Sequence, residues 1–283
     1  MHRLLALVLL LSAFRAPEPP TLVLGFTPAE DAKTLLVKAE PFVAYLSAKL
    51  HMRIVTQTAS DYAAPVEALR HQRLDVALLG PKATLMAARE GRGVVIARTI
   101  NGKKPNYYSL IFARRDTGIH KLSDLKNRSF AFVDINSASG HLFPRYLLRM
   151  AGIVPERDMK QLLFAGAHDA VILSVLNRKV DAGATWSNDP QGETSGLSRL
   201  LTDPAQRRQL QILAASPPIP GEGIVTRSGL PPSIRAALQD ALIHMGDTPE
   251  GRKAVGALSF SGFVKATDAD YRVLAEIEAK GKR

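Results

Sequence analysis

Cysteine is absent from all 283 residues, which excludes disulfides, thiolate metal sites and attachment to lipid through a cysteine. A chain of this length can bury enough apolar surface to fold without disulfides, so the absence is compatible with export. Tryptophan occurs once, at Trp186, and aromatic residues make up only 6% of the chain. The net charge is +11, yet the basic residues are scattered without a dense run and few aromatics lie among them. The footprint of a nucleic-acid binder is therefore missing, while a positive surface still favours small anions. Also missing are the Gly-x-Ser-x-Gly elbow, the His-Glu-x-x-His zinc motif and the Gly-x-x-x-x-Gly-Lys phosphate loop. No apolar run reaches the 18 or more residues of a membrane span.

The one marked apolar run, Leu4 to Leu11, follows a basic Met-His-Arg start and precedes Ser-Ala-Phe-Arg-Ala16. This is the pattern of a secretory signal over residues 1–16, removed on export, with Pro17 to Pro20 beginning the mature chain. Phe14 stands where a small residue is usual before the cleavage site, so a retained anchor is the alternative. With 46% hydrophobic and 22% charged residues, the remainder is an ordinary globular chain. Its length fits two lobes of roughly 100 to 150 residues each.

Hydrophobic periodicity predicts alternating strands and helices. Leu22–Phe26 is a strand, Thr27-Pro-Ala-Glu-Asp31 opens a helix that runs to Leu50, and Ile54–Thr56 is a strand. A helix carrying Val66 and Leu69 leads to a strand at Leu74–Gly80. The pattern then repeats, with strands at Tyr107–Ala113, Phe130–Val133, Leu162–Phe164 and Val180–Ala184. Between them lie a helical turn at Leu122–Leu125 and helices at Ser139–Met150 and His168–Asn177. Residues 186–209 are polar and indecisive. Strands at Leu210–Ala215 and Gly223–Thr226 precede helices at Pro231–Met245, Pro249–Leu258 and Asp268–Ala279. These elements imply two α/β lobes with largely parallel sheets, joined by crossings near residues 108–112 and 210–218. Ligands in such sheets bind beyond the carboxyl ends of the strands, here the loops after Phe26, Leu79 and Val133.

Chemistry concentrates in the last of these loops. A buried strand, Phe130–Val133, a turn through Ser137-Ala138-Ser139-Gly140 and a helix start together place first-turn N–H groups and two hydroxyls where one oxyanion could meet them. Ser139 capping its own helix would produce the same pattern.

In order along the chain stand Asp61-Tyr62, Leu74-Asp-Val-Ala-Leu-Leu-Gly-Pro81, Tyr108 with Leu122-Ser-Asp-Leu-Lys126, the Ser137–Gly140 turn, Phe164-Ala-Gly-Ala-His168-Asp169, Val180-Asp-Ala-Gly183 and Ser216-Pro-Pro-Ile-Pro220. This series resembles the phosphonate-binding type of periplasmic solute-binding protein and covers nearly the whole mature chain. The resemblance implies an α/β, two-lobed clamp of the periplasmic-binding-protein type (type II), with a ligand cleft between lobe 1 (21–108, with 213–283 returning to it) and lobe 2 (109–212). It implies a periplasmic, cofactor-free, monomeric protein that captures a phosphonate, phosphite or phosphate for an inner-membrane ABC permease. The same clamp could serve a sensory module, and an enzyme acting on phosphate or phosphonate esters is a more distant alternative.

The resemblance also assigns ligand contacts to Tyr62, to Ser137, Ala138, Ser139 and Gly140, and to His168, whose protonation would make binding depend on pH. Ala138 stands where the family has threonine, and Thr84 where it commonly has a second tyrosine. Pro81, Lys82, Thr84, Trp186 and Glu222 are further candidates, Glu222 as an acid that could hold a ligand amine, with Asn188, Asp189 and Glu193 considered for a second such role. A Ser137–His168–Asp169 triad is disfavoured, because adjacent His and Asp at a helix start rarely align as base and orienter.

Overall fold

A computed structural model of the chain describes residues 19–89 and 93–281; the signal segment expected at 1–16 lies outside them. Among the described residues, no helix is long and apolar enough to cross a membrane. The elements of the first part are β1 (Thr21–Phe26), α1 (Ala32–Leu50), β2 (Arg53–Thr58), α2 (Ala64–Arg70), β3 (Val76–Leu79), α3 (Pro81–Arg89) and β4 (Gly93–Ile100). The middle contributes β5 (Asn106–Arg114), β6 (Ser129–Phe132), α4 (Phe143–Met150), α5 (Pro155–Asp158), β7 (Gln161–Phe164), α6 (His168–Leu176), β8 (Ala182–Ser187), α7 (Gly196–Leu200), α8 (Pro204–Arg208), β9 (Leu210–Ala215) and β10 (Ile219–Pro220). The chain ends with β11 (Gly223–Arg227), α9 (Pro232–Ile243), α10 (Pro249–Ala257), β12 (Gly262–Lys265) and α11 (Arg272–Lys280).

Two sheets result, in the strand orders β12-β4-β11-β3-β1-β2 and β10-β5-β8-β6-β7, with β9 also on β5. Both are mixed, which corrects the expectation of largely parallel sheets. β1 runs parallel to β2 and β3, and β6 to β7 and β8. β11, however, returns from the far end of the chain and inserts antiparallel between β3 and β4, and β5 is antiparallel to each of its neighbours β8, β9 and β10. Three strands, β4, β10 and β12, have no counterpart in the sequence-based reading. The chain passes between sheets at residues 101–105 and 221–222, and these two segments lie side by side, with Ile219 opposite Tyr107 and the Gly221 N–H donating to the Pro105 carbonyl at 3.0 Å.

Strand alternation sorts side chains to the two faces of each sheet. On β3, Val76 and Leu78 join Leu24, Phe26 and the α1 face Leu35, Ala39, Phe42 and Leu46, while Ala77 and Leu79 join α2, α3 and α11. On β5, Ile111 and Ala113 pack with Phe130 and Phe132, whereas Phe112 packs with Val171, Ile172 and Val175 of α6. α1 starts at Asp31, whose carboxylate accepts the Thr34 N–H at 2.9 Å, and stops at His51 in the left-handed region at φ 53°. α11 ties the two halves together, since Leu274 and Ile277 share one buried cluster with Leu85 of α3 and with Leu142 and Phe143 of the second half.

Asp75 joins three central strands. Its carboxylate accepts the Val23 N–H of β1 at 2.9 Å and the Arg227 Nε–H of β11 at 2.7 Å, with both charged side chains about four-fifths covered. Removing one member of such a pair leaves a shielded charge and an N–H without partners. Asp75→Ala is therefore expected to destabilise the fold by about 2 to 4 kcal/mol, read as a lower urea midpoint at unchanged slope.

Candidate functional site

The turn after β6 is built by its own backbone and by glycine. The Ser137 N–H donates to the Asp134 carbonyl at 2.9 Å, and the Gly140 carbonyl accepts the Val133 N–H at 3.0 Å. A Cβ on Gly140 would lie 2.4 Å from Val133, so only glycine allows this approach. The Ser137 hydroxyl accepts the Gly140 N–H at 3.0 Å. Ser137, not Ser139, is thus the cap. The helix opens with a wide π-type turn over Ala138–Leu142 before α4, a geometry common at functional sites. The Ser109 hydroxyl of β5 donates to the Ser139 carbonyl at 2.6 Å, fixing the turn from below. First-turn N–H groups have no preceding turn to accept them and, with the dipole behind them, favour an anion.

Ser137, Ala138 and Ser139 line a cavity of about 280 Å³ where the loops after β1, β3 and β6 meet. Two of these loops are tied together by Thr27, whose Oγ1 accepts the Gly80 N–H at 3.1 Å and whose own N–H donates to the Leu78 carbonyl at 3.1 Å. Two phenols complete the deep end. The Tyr62 phenol faces the Ser137 side chain, and the Tyr107 phenol the side chain and backbone of Ser139. Burial pushes both phenols far up, so they remain protonated donors.

His168 joins this wall from the start of α6. Its N–H donates to the Ala29 carbonyl at 3.1 Å, a bond between the two halves of the molecule, and its Nδ1 meets the Thr185 hydroxyl at 3.2 Å. Burial pushes the imidazole down to about 3, so His168 is neutral at physiological pH and offers one N–H. Burial thus opposes the expected protonation of His168 in the ligand-free cavity. Asp169 does not orient this ring, because its Oδ1 accepts the Ala170 N–H at 2.8 Å.

Glu222 is the cavity-lining carboxyl whose pKa is raised. Its backbone is clamped to Thr99, whose hydroxyl accepts the Glu222 N–H at 3.0 Å and whose N–H donates to the Glu222 carbonyl at 2.9 Å. Both flanking glycines are required by close approach, since a Cβ would lie 2.2 Å from the Thr99 carbonyl oxygen at Gly221 and 2.5 Å from Thr84 at Gly223. Burial, and then the charge of Glu30, raises the Glu222 carboxyl from its ordinary 4.5 to about 7. Glu30 itself pairs with Lys38.

Of the residues singled out from the sequence, Tyr62, Pro81, Ser137, Ala138, Ser139, His168, Trp186 and Glu222 line the cavity, and Gly140, Lys82 and Thr84 do not. Thr84 is wholly buried and turns its hydroxyl back to the Leu79 and Gly80 carbonyls, both at 3.1 Å. The Lys82 ammonium donates to the Ile135 carbonyl at 2.7 Å, latching α3 to the turn after β6. Asn188 lines the cavity, while the Asp189 carboxylate accepts the Glu193 and Thr194 N–H groups at 3.0 and 2.8 Å and serves its own loop. Sequence reasoning missed Tyr107, Asn101 and Glu30. The signal available for Tyr107 was strand period: it shares a face of β5 with Ser109, which grips the turn, whereas Tyr108 points the other way.

Over residues 24–271 the chain matches the family described as ABC transporter, phosphonate, periplasmic substrate-binding protein. The phosphonates-binding periplasmic protein of Escherichia coli K12 is 29% identical over 266 residues, 92% of this chain and 76% of that protein. The phosphate-import protein PhnD of Mycolicibacterium smegmatis is 30% identical over 275 residues, 89% of this chain and 83% of that protein. Among solved structures, the binding-protein component of an ABC phosphonate transporter from Pseudomonas aeruginosa superposes with a TM-score of 0.85 at 28% identity, covering 94% of this chain and 87% of that one.

The raised Glu222 carboxyl has a definite linkage sign. Between its unfolded value of 4.5 and its folded value of about 7, the native state binds more protons than the unfolded chain, so this group lowers stability as pH rises through that window. Glu222→Gln is expected to leave the ligand-free chain unchanged near pH 4 and to stabilise it at pH 8 by on the order of 1 to 3 kcal/mol, allowing for partial exposure. Melting curves across that pH range check it; identical profiles for the two proteins would contradict the assignment.

Proposed function

The chain belongs to the phosphonate-binding family of periplasmic substrate-binding proteins of ABC transporters, and from that premise we propose that its cavity grips a phosphorus oxyanion between two closing lobes. The supporting observation is that neutral donors from both sheets converge on one buried cavity: Tyr62 from the first, and Tyr107, Ser137, Ser139 and His168 from the second. Ala138 contributes its backbone N–H in place of a third hydroxyl. Gly140 shapes the turn and leaves its N–H to Ser137. Charge-assisted hydrogen bonds in a site screened from water supply the affinity.

The lobes follow the two sheets, 21–100 with 223–281 and 106–220, so the boundaries expected at 108/109 and 212/213 move outward to take β5, β9 and β10 into the second lobe. Closure brings the Ser137–Ser139 turn to Tyr62 and the Gly80–Pro81 loop, and the closed face is the signal that an inner-membrane permease reads. The chain acts in the periplasm as a monomer after loss of residues 1–16. Phosphonate, phosphite and phosphate all fit the donor set, since each presents tetrahedral oxygens to the same turn. Glu222, which has no cation at hydrogen-bond distance among the described residues, would meet either an ammonium group on the ligand or a proton on the oxyanion.

Ser137→Ala is expected to weaken oxyanion binding by about 1.5 to 3 kcal/mol, the worth of a hydrogen bond to a charged group, measured by calorimetry well below the variant's melting temperature because the helix cap is also lost. In a thermal-shift screen, phosphate, phosphite, methylphosphonate and aminoethylphosphonate should include at least one strong stabiliser, with sulfate weaker. A screen in which none of the phosphorus compounds raises Tm would sink the proposal.

A further inference from the structure

Cations that are scattered along the sequence are gathered by the topology of the second lobe. Its parallel strands β6, β7 and β8 run towards the cavity, and antiparallel β5 and β9 bring Arg114 opposite Leu210 at the other end. Segments 114–128, 154–160, 177–181 and 202–209 meet at that distal end. The Arg115 N–H donates to the Gln209 carbonyl at 2.8 Å, and the Asn127 N–H to the Asp158 carbonyl at 2.7 Å. Together the four segments hold eleven Lys and Arg against six Asp and Glu. The cavity end has the reverse balance: segments 133–140, 165–169 and 188–199 carry Asp134, Asp169, Asp189 and Glu193 with one cation, Arg199.

The distal acids are taken up within the protein. Asp116 pairs with Arg114 and Arg178, Glu156 with Arg145, and Asp158 with Arg157. Asp124 accepts the His120 N–H at 3.0 Å, Asp181 the Ser129 N–H at 2.9 Å and Asp203 the Ala205 N–H at 2.8 Å. By contrast Lys121, Lys126, Lys160, Lys179, Arg207 and Arg208 are exposed and form no ion pair among the described residues. At the same end α4 stops at Met150, which at 64% is the most exposed large apolar side chain among the described residues.

Unpaired cations beside an exposed apolar side chain suit an anionic lipid surface, where headgroups meet the charges and the boundary layer accepts the thioether. None of the four segments contains Phe, Tyr or Trp, so the stacking platform of a single-strand nucleic-acid binder is missing. We propose that this distal end of the second lobe binds the surface of an anionic phospholipid bilayer and leaves the cavity end clear of it. The inference is independent of which ligand the cavity takes. Each cation held near such a surface is worth about fivefold in binding, an attraction that fades over about 8 Å at physiological ionic strength.

Sedimentation of the purified exported chain with vesicles tests this. Binding to phosphatidylglycerol mixed with phosphatidylcholine should exceed binding to phosphatidylcholine alone by at least about twentyfold and should weaken steeply as salt is raised. The combined variant Lys126→Glu, Lys160→Glu, Lys179→Glu should lose at least about a hundredfold at an unchanged melting temperature, since all three positions are exposed. Reversing Lys49, Arg53 and Arg73, exposed at the far end of the first lobe, should change binding by less than about threefold, because screening confines the attraction to the contacting face. Met150→Ser should weaken binding about threefold or more. Equal binding to neutral vesicles, equal losses from the two triple reversals, or retention of a DNA duplex in place of vesicles overturns the bilayer assignment. So does displacement by inorganic phosphate at constant ionic strength, which would mean that the cavity captures the headgroup. Unchanged binding by Met150→Ser overturns the apolar contact.

Discussion

An anion removed from water must be met by donors that are already in place, because each missing hydrogen bond in a low-dielectric site leaves charge uncompensated. In the proposed site the requirement falls on a seam where the two sheets meet. Tyr62 meets Ser137, Tyr107 meets Ser139, the His168 N–H reaches the Ala29 carbonyl, and Lys82 reaches the Ile135 carbonyl. None of these contacts exists within one sheet's own strands. The Tyr62, Tyr107 and Lys82 contacts all meet the turn after β6, whose shape depends on the glycine at 140 and the Ser137 cap. As the proposed oxyanion site, the deep end would attract an anion through oriented dipoles fixed by packing, on phenols, hydroxyls, backbone N–H groups and a neutral imidazole.

The same seam explains why Glu222 matters despite its sign. It sits where the two crossing segments run side by side, clamped to Thr99, with the Tyr271 hydroxyl donating to the neighbouring Gly221 carbonyl at 2.9 Å. A carboxyl there belongs at once to the joint between the sheets and to the cavity. Its protonation near neutrality couples the charge in the cavity to the part of the chain about which the lobes would turn, whereas buried His168 stays neutral throughout that range.

Much of the architecture was legible from periodicity. The strands at 21–26, 106–114, 129–132 and 161–164 and the helices at 32–50, 168–176 and 232–243 lie within a few residues of where alternation and helical spacing put them. β4 was not legible, since Arg98 and Thr99 interrupt an otherwise apolar run and its partners β11 and β12 come from the far end of the chain. For the same reason the mixed character of the sheets was hidden: nothing near Val76–Leu79 announces that residues 223–227 will lie antiparallel beside them. In the cavity, Tyr62, Ser137, Ser139 and His168 were visible because hydroxyls and aromatics stand next to turn residues. Tyr107 and Glu30 were not, because what makes them notable is a neighbour more than thirty residues away in one case and the mouth of a fold-level cavity in the other.

What the sequence by itself determined is local: where the chain extends, where it coils, where glycine and serine make a helix start that can face an anion, and that no thiol chemistry is available. These follow from backbone sterics and side-chain period, which act over a few residues. Only the tertiary structure decided which donors share one cavity, that Thr84 and Lys82 spend their polar atoms on the protein itself, and that the acid near neutrality is Glu222 while His168 stays uncharged. Desolvation and convergence depend on what packs around a group from distant parts of the chain, and no local pattern of residues encodes that.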